Sequence, residues 1–233
     1  MSIAMITWGI AWTNAKILNE FLNYYNLVFL RFLFGFLSLL PFIYKKLFYI
    51  NKISKSTIFN MIIMSILFFI YNYCFFKGTD LGNSGMGGVF VTTTNPIITF
   101  IIFSTLSKKI ELNQILGILI GCLGGLIIMN IFNEGFVHIL DIKNRYFILC
   151  SLIWGIMTVI MSYGQKEINS LLYIGLCYFL TTIISIPFIT INDILSIDIY
   201  NSRFLINFFF ASIGAMAFGT SLYIYYTPRL GPI

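Results

Sequence analysis

Residues 85–130 read GMGGVFVTTTNPIITFIIFSTL (85–106), SKKIELNQ (107–114) and ILGILIGCLGGLIIMN (115–130). Two apolar runs, each long enough at about 1.5 Å per residue to cross a bilayer, flank a turn carrying Lys108, Lys109 and Glu111. At helical spacing Gly88, Thr92, Asn95 and Thr99 share one face, while isoleucine and phenylalanine fill the other. Pro96 has no amide hydrogen and frees the carbonyl of Thr92, which hydrocarbon tolerates only if protein or trapped water satisfies it. The first run is therefore expected to be a broken, polar-faced helix beside a cavity. In the second run Gly117, Gly121 and Gly125 recur at i, i+4 and i+8, a seam that lets another helix approach closely.

The whole chain fits that reading. Of its 233 residues 59% are hydrophobic and only 9% charged, with mean hydropathy +0.92, whereas soluble domains carry roughly 25% charged residues. An all-α integral membrane protein follows, with eight candidate spans at about 2–18, 25–44, 58–77, 86–106, 113–132, 146–164, 170–191 and 204–227. Short polar loops leave no soluble domain. The net charge of +6 lies scattered between apolar runs, which speaks against nucleic acid as a partner. Cys74, Cys122, Cys150 and Cys177 sit singly inside apolar runs and read as packing residues, not as disulfides or a zinc site. Residues 1–18 lack a basic leader and cleavage site and are taken as a retained first helix. With the N-terminus inside, eight basic residues fall in cytoplasmic loops against five outside, so N-in is the expected orientation. Richness in Ile, Asn, Lys and Phe suggests an AT-rich bacterial genome and hence a cytoplasmic (inner) membrane.

The chain also repeats itself. Trp8-Gly9 precedes Pro41-Phe42 by 33 residues, and Trp154-Gly155 precedes Pro187-Phe188 by the same 33. Tryptophan occurs three times and proline five, so chance seldom yields both pairs at one offset. With a three-residue loop adjustment, Leu81-Gly82 aligns with Leu230-Gly231. Five helices lie within one offset, so the second copy is expected to run inverted, and secondary transporters place their substrate between such copies. The expected units are residues 1–132 with five helices and a shorter second copy, 145–233, with three.

The matching pieces resemble the EamA-type transporters of the drug/metabolite transporter superfamily. They are a helix with a mid-membrane proline (TTTNPIITF), a charged turn, and a Q-x-x-G-x-x-x-x-x-x-G helix formed by Gln114, Gly117 and Gly124. One family feature is replaced: Lys108 stands where a glutamate is common, six residues before Gln114. The resemblance implies a bundle of inverted five-helix repeats on a ten-helix plan. It makes this chain, with about eight helices, read as part of such a protein, with a true eight-helix variant as the alternative. It further implies a secondary transporter or exporter of small organic metabolites, amino-acid-like or related. A non-transporting assembly or sensory subunit is the alternative.

Candidate substrate contacts are Asn95, Thr92, Thr99, Arg31, Asn14 and Asn72; Pro96, Gly117, Gly121, Gly125, Trp8, Gly9, Trp154 and Gly155 are expected to shape the bundle. Asn95, beside the proline, leads. Arg31 is the one charge well inside a span, about 10 Å deep if its helix starts near Tyr24. It reads either as an anion-attracting group facing a cavity, or as a side chain that snorkels outward or pairs with Glu20 or Asp80. The tyrosines of helices 3 and 8 read as interfacial belts or as an aromatic passage. No Asp or Glu lies well inside a span and His138 is in a loop, so nothing assembles into a catalytic set, a metal site or a cofactor site. No phosphate-binding loop supports an ATP-driven pump. The expected partners are a small-molecule substrate and the lipid bilayer, with a homodimer also open.

Overall fold

A computed structural model describes residues 2–47, 53–107, 112–129, 131, 144–198 and 200–230. The turn Lys108–Glu111, the connection holding Glu134, His138, Asp141 and Lys143, and the Gly231 end of the repeat alignment lie outside them.

Among the described residues eight long helices occupy the eight expected spans: α1 (Ser2–Leu18), α2 (Tyr24–Ile43), α3 (Lys55–Leu81), α4 (Ser84–Ser107), α5 (Leu112–Ile128), α6 (Arg145–Gly164), α7 (Ser170–Ser185) and α8 (202–230), with a short helical turn at Ile191–Leu195 between the last two. Among the described residues six stretches are long and apolar enough to cross a membrane, starting at Tyr24, Lys55, Ser84, Arg145, Ser170 and Ser202. At 17 residues, α1 and α5 are shorter. The ends follow local chemistry. Asn23, Ser54, Asn169 and Asn201 each accept a hydrogen bond from a first-turn amide of α2, α3, α7 and α8, supplying acceptors for amides that the helix itself leaves unpaired. The expected α7 runs to 191, but the α-helix stops at Ser185 and a 3-10 turn holds Pro187, whose ring nitrogen cannot donate. Pro41, at the matching place, stays inside α2.

Two departures bear on the site. Helix α4 is not broken at Pro96: it runs continuously from Ser84 to Ser107. The hydroxyls of Thr92 and Thr94 donate back to the carbonyls of Gly88 and Phe90, at 2.8 and 2.7 Å. The irregular helix is α8, whose segment Phe210–Thr220 is π-helical, with turns wider than those on either side.

The bundle pairs α2 with α7, α1 with the π-helical part of α8, α3 with α6, and α4 with α6. Glycine decides the last contact. A Cβ on Gly155 would stand 2.5 Å from Ile98 Cγ2, so α4 and α6 approach as closely as only glycine allows. Gly125 is buried against Thr93, which joins α5 to α4. A Cβ on Gly117 or Gly121 would meet nothing within 4 Å; both face open space, as does Gly9. The expected three-glycine seam of α5 therefore packs at one position of three. The bundle core is aromatic, centred on Phe32, Phe68, Phe76, Phe147, Tyr173 and Tyr178.

Substitution separates filled from open glycines. Gly155→Val is expected to destabilise the protein by about 1–3 kcal/mol through overpacking. Gly117→Ala should stabilise by up to about 1 kcal/mol, because it only removes unfolded-state freedom. Thermal unfolding in detergent, followed by tryptophan fluorescence, measures both.

Candidate functional site

Helices α1, α2, α3, α4, α6 and α8 enclose a cavity of about 60 Å³, room for a few water-sized groups. Its polar lining comes from Arg31, Asn72, Thr92, Asn95 and Thr220. Its apolar walls are mostly rings: Trp8, Trp12, Phe68, Tyr71, Phe75 and Trp154. The side chain of Thr92 also borders a larger cleft of about 580 Å³ between α4 and α5, shared with Pro96, Asn113, Gln114, Gly117 and Gly121.

Arg31 is 6% exposed and is held by neutral groups. Its Nε donates to the carbonyl of Ala211 (3.0 Å) and its Nη1 to Oδ1 of Asn72 (2.8 Å). Asn72, itself 1% exposed, is oriented by donating from Nδ2 to the carbonyl of Phe68 at 2.9 Å. The rings of Phe75 and Phe76 lie 4.8 and 5.5 Å from the guanidinium carbon, within the range of cation–π attraction. The two acids considered as partners for Arg31 are engaged elsewhere. Glu20 pairs with Arg203 at 2.8 Å, and Asp80 accepts from the hydroxyl of Tyr24 at 2.6 Å. The other described acids also sit at helix ends: Glu167 accepts from Thr57, Asp193 from Asn23, and Asp198 from the amide of Tyr200. No described carboxylate compensates Arg31.

Across the cavity, Asn95 presents a buried Oδ1 that accepts no hydrogen bond. Thr94, one residue earlier on α4, bonds Ser151 of α6. The aromatic wall is interlocked: Trp8 meets Trp154 edge to face at 5.1 Å, Tyr71 lies 5.0 Å from Trp154, and Tyr223 lies 5.0 Å from Trp8. The indole Nε1 of Trp8 donates to the carbonyl of Ala215, and the hydroxyl of Tyr178 to that of Met216, both at 3.1 Å. With Ala211, three carbonyls of the π-helical segment thus receive side chains from three other helices.

Of the sequence candidates, the cavity gathers Arg31, Asn72, Thr92, Asn95, Trp8 and Trp154. Thr99 is buried beside Gly155, and Asn14 is buried in α1 with an unpartnered Nδ2; neither lines the cavity. Pro96 faces the α4–α5 cleft. Trp12, Phe75, Met216 and Thr220 are cavity residues that the sequence reading misses. Spacing is a usable signal for two of them, since Trp12 follows Trp8, and Phe75 follows Tyr71, by one helical turn. Tyr71 belongs to the cavity, whereas Tyr24 and Tyr73 gather around Lys77 near the end of α3, where the Lys77 amine donates to the Tyr73 hydroxyl at 2.8 Å.

A family model described as the EamA-like transporter family matches residues 1–130. No curated protein and no solved structure matches the chain. The matched stretch is more than half of the 233 residues and contains Arg31, Asn72, Thr92 and Asn95 with the helices that carry them, so this multi-span membrane protein belongs to the EamA-like transporter family.

Proposed function

We propose that the protein is a secondary transporter of small organic metabolites, amino-acid-like or related, which works by alternating access in a bacterial cytoplasmic membrane. The observation that carries this reading is the cavity itself. Polar groups from α2, α3, α4 and α8 converge on a space walled by rings, where hydrocarbon would otherwise penalise each of them.

Residues 1–132 and 145–233 act as two inverted repeats in this reading. Three features support it. Trp8 and Trp154, equivalent under the repeat, touch each other. Helix α2 packs on its own counterpart, α7. The pairing of α1 with α8 is answered by that of α6 with α3, as exchange of the two copies requires. Rocking of one repeat against the other would then open the cavity to either side in turn. The small cavity volume suits a closed stage of that cycle, in which the walls part to admit a substrate.

Asn95→Leu is expected to abolish substrate flux in proteoliposomes while the protein still reaches the membrane. Unchanged flux would remove α4 from the substrate path, and consistent absence of flux with the unaltered chain across a metabolite panel would favour an assembly or sensory subunit. The N-in orientation has its own test. Gly85→Cys should react with a membrane-impermeant maleimide added to intact cells, and Lys45→Cys only after permeabilisation; the reverse pattern would invert the topology.

A further inference from the structure

Three features of the cavity limit what can occupy it. Arg31 is a buried cation with no carboxylate among the described residues to balance it, a costly arrangement in a medium of low dielectric. Of the five N–H groups a guanidinium offers, Asn72 and Ala211 take two, leaving three. Among the described residues no lysine, histidine or second arginine lines the cavity, so Arg31 is the one positive charge they present to it.

Resting on the transporter reading, we infer that the substrate is a monocarboxylate whose carboxyl group binds Arg31 and whose body is flat or apolar. A single planar guanidinium with free N–H groups matches one carboxylate, in charge and in fork geometry. A phosphate dianion would leave one negative charge unmatched in the cavity. The walls set the rest of the molecule: Trp8, Trp12, Tyr71, Phe75 and Trp154 offer ring faces and edges to an aromatic or aliphatic body. Asn95 adds a polar side chain to the same lining. Asn72 is a positioning residue: it holds the guanidinium from the side and is held in turn by α3.

The chain reports on its own cavity, since all three of its tryptophans line it. The full chain in proteoliposomes is titrated with phenylacetate, with its uncharged near-isostere phenylacetamide, and with phenethylammonium, following tryptophan emission. Phenylacetate should give a saturable change, at least about tenfold tighter than either of the others. Arg31→Gln should bring phenylacetate down to the level of the amide, and Arg31→Lys should keep part of the preference. Equal binding of acid and amide by the unaltered protein would overturn the inference without need of any variant, which guards against an Arg31→Gln protein that does not fold. Saturation by phenethylammonium alone, or by none of the three, would overturn it too. Flux measured in the same vesicles separates the two proposals. Transport of amines or neutral solutes without preference for acids would sink the carboxylate site and leave the transporter standing. Saturable acid binding with no flux of any solute would do the opposite.

Discussion

A single guanidinium holds three helices of this bundle in register. Arg31 leaves α2, bonds Asn72 on α3 and reaches the backbone of α8 at Ala211. In water such contacts would be worth little, because solvent competes for every donor. Inside hydrocarbon the alternative is an unsatisfied charge, so the geometry is confined to arrangements that keep both acceptors in reach. That constraint explains why Asn72 is buried and bonded to its own helix, and why Phe75 and Phe76 cover the guanidinium. It also ties the cavity to the π-helical part of α8, the least regular stretch of the membrane-spanning helices.

Many of the other buried hydroxyls obey the same rule by simpler means. Ser65, Thr158, Thr181, Thr182, Ser185 and Ser212 each donate to a carbonyl one turn back, which removes a hydroxyl from lipid without a partner helix. Ser65 and Thr181 go further and cross-link α3 to α7, each also donating to a carbonyl of the other helix, at 3.1 and 3.2 Å. The π-helical segment works in the other direction. Its wider turns offer carbonyls at Ala211, Ala215 and Met216 to an arginine, a tryptophan and a tyrosine from outside the helix. A helix whose backbone is shared in this way cannot shift without changing its contacts to α1, α2 and α7.

Much of this is legible in the residues because lipid leaves few alternatives. Apolar runs of 17 or more residues can only be helices, and the eight expected spans are where the helices are. Arg31, Asn72 and Asn95 stand out as polar groups at depth, where each demands a reason. Other features are not carried by the sequence. Pro96 removes one backbone amide, yet α4 stays continuous around it, an outcome that the residue's chemistry alone does not convey. Gly117 and Gly121 have the spacing of a contact, yet small residues only permit close approach and do not supply the neighbour. The π-helical stretch FASIGAMAFGT has no distinct periodicity; its wider turns come with tertiary hydrogen bonds that one-dimensional patterning does not carry. Trp12 and Phe75 escape notice for a related reason, since a tryptophan and a phenylalanine in an apolar run look the same whether they face lipid, core or cavity.

In the proposed transport reading, the absence of a described acid near Arg31 gives the cavity a particular logic. Had a carboxylate of the chain neutralised it, an incoming anion would have had to displace that partner, and the gain on binding would largely cancel. With only amide and carbonyl oxygens beside it, the guanidinium is oriented but not neutralised, so an incoming anion would have no ion pair to break, and desolvation of the two ions would be its main cost. The same attraction would hold a substrate too firmly in a rigid site. In that reading a movement of α8 would offer the release, because the carbonyl of Ala211 that orients Arg31 and the carbonyl of Ala215 that anchors Trp8 lie on one helix. A shift of that helix would alter the charged end and the aromatic wall of the cavity at once, as the proposed carrier cycle requires for release on the far side.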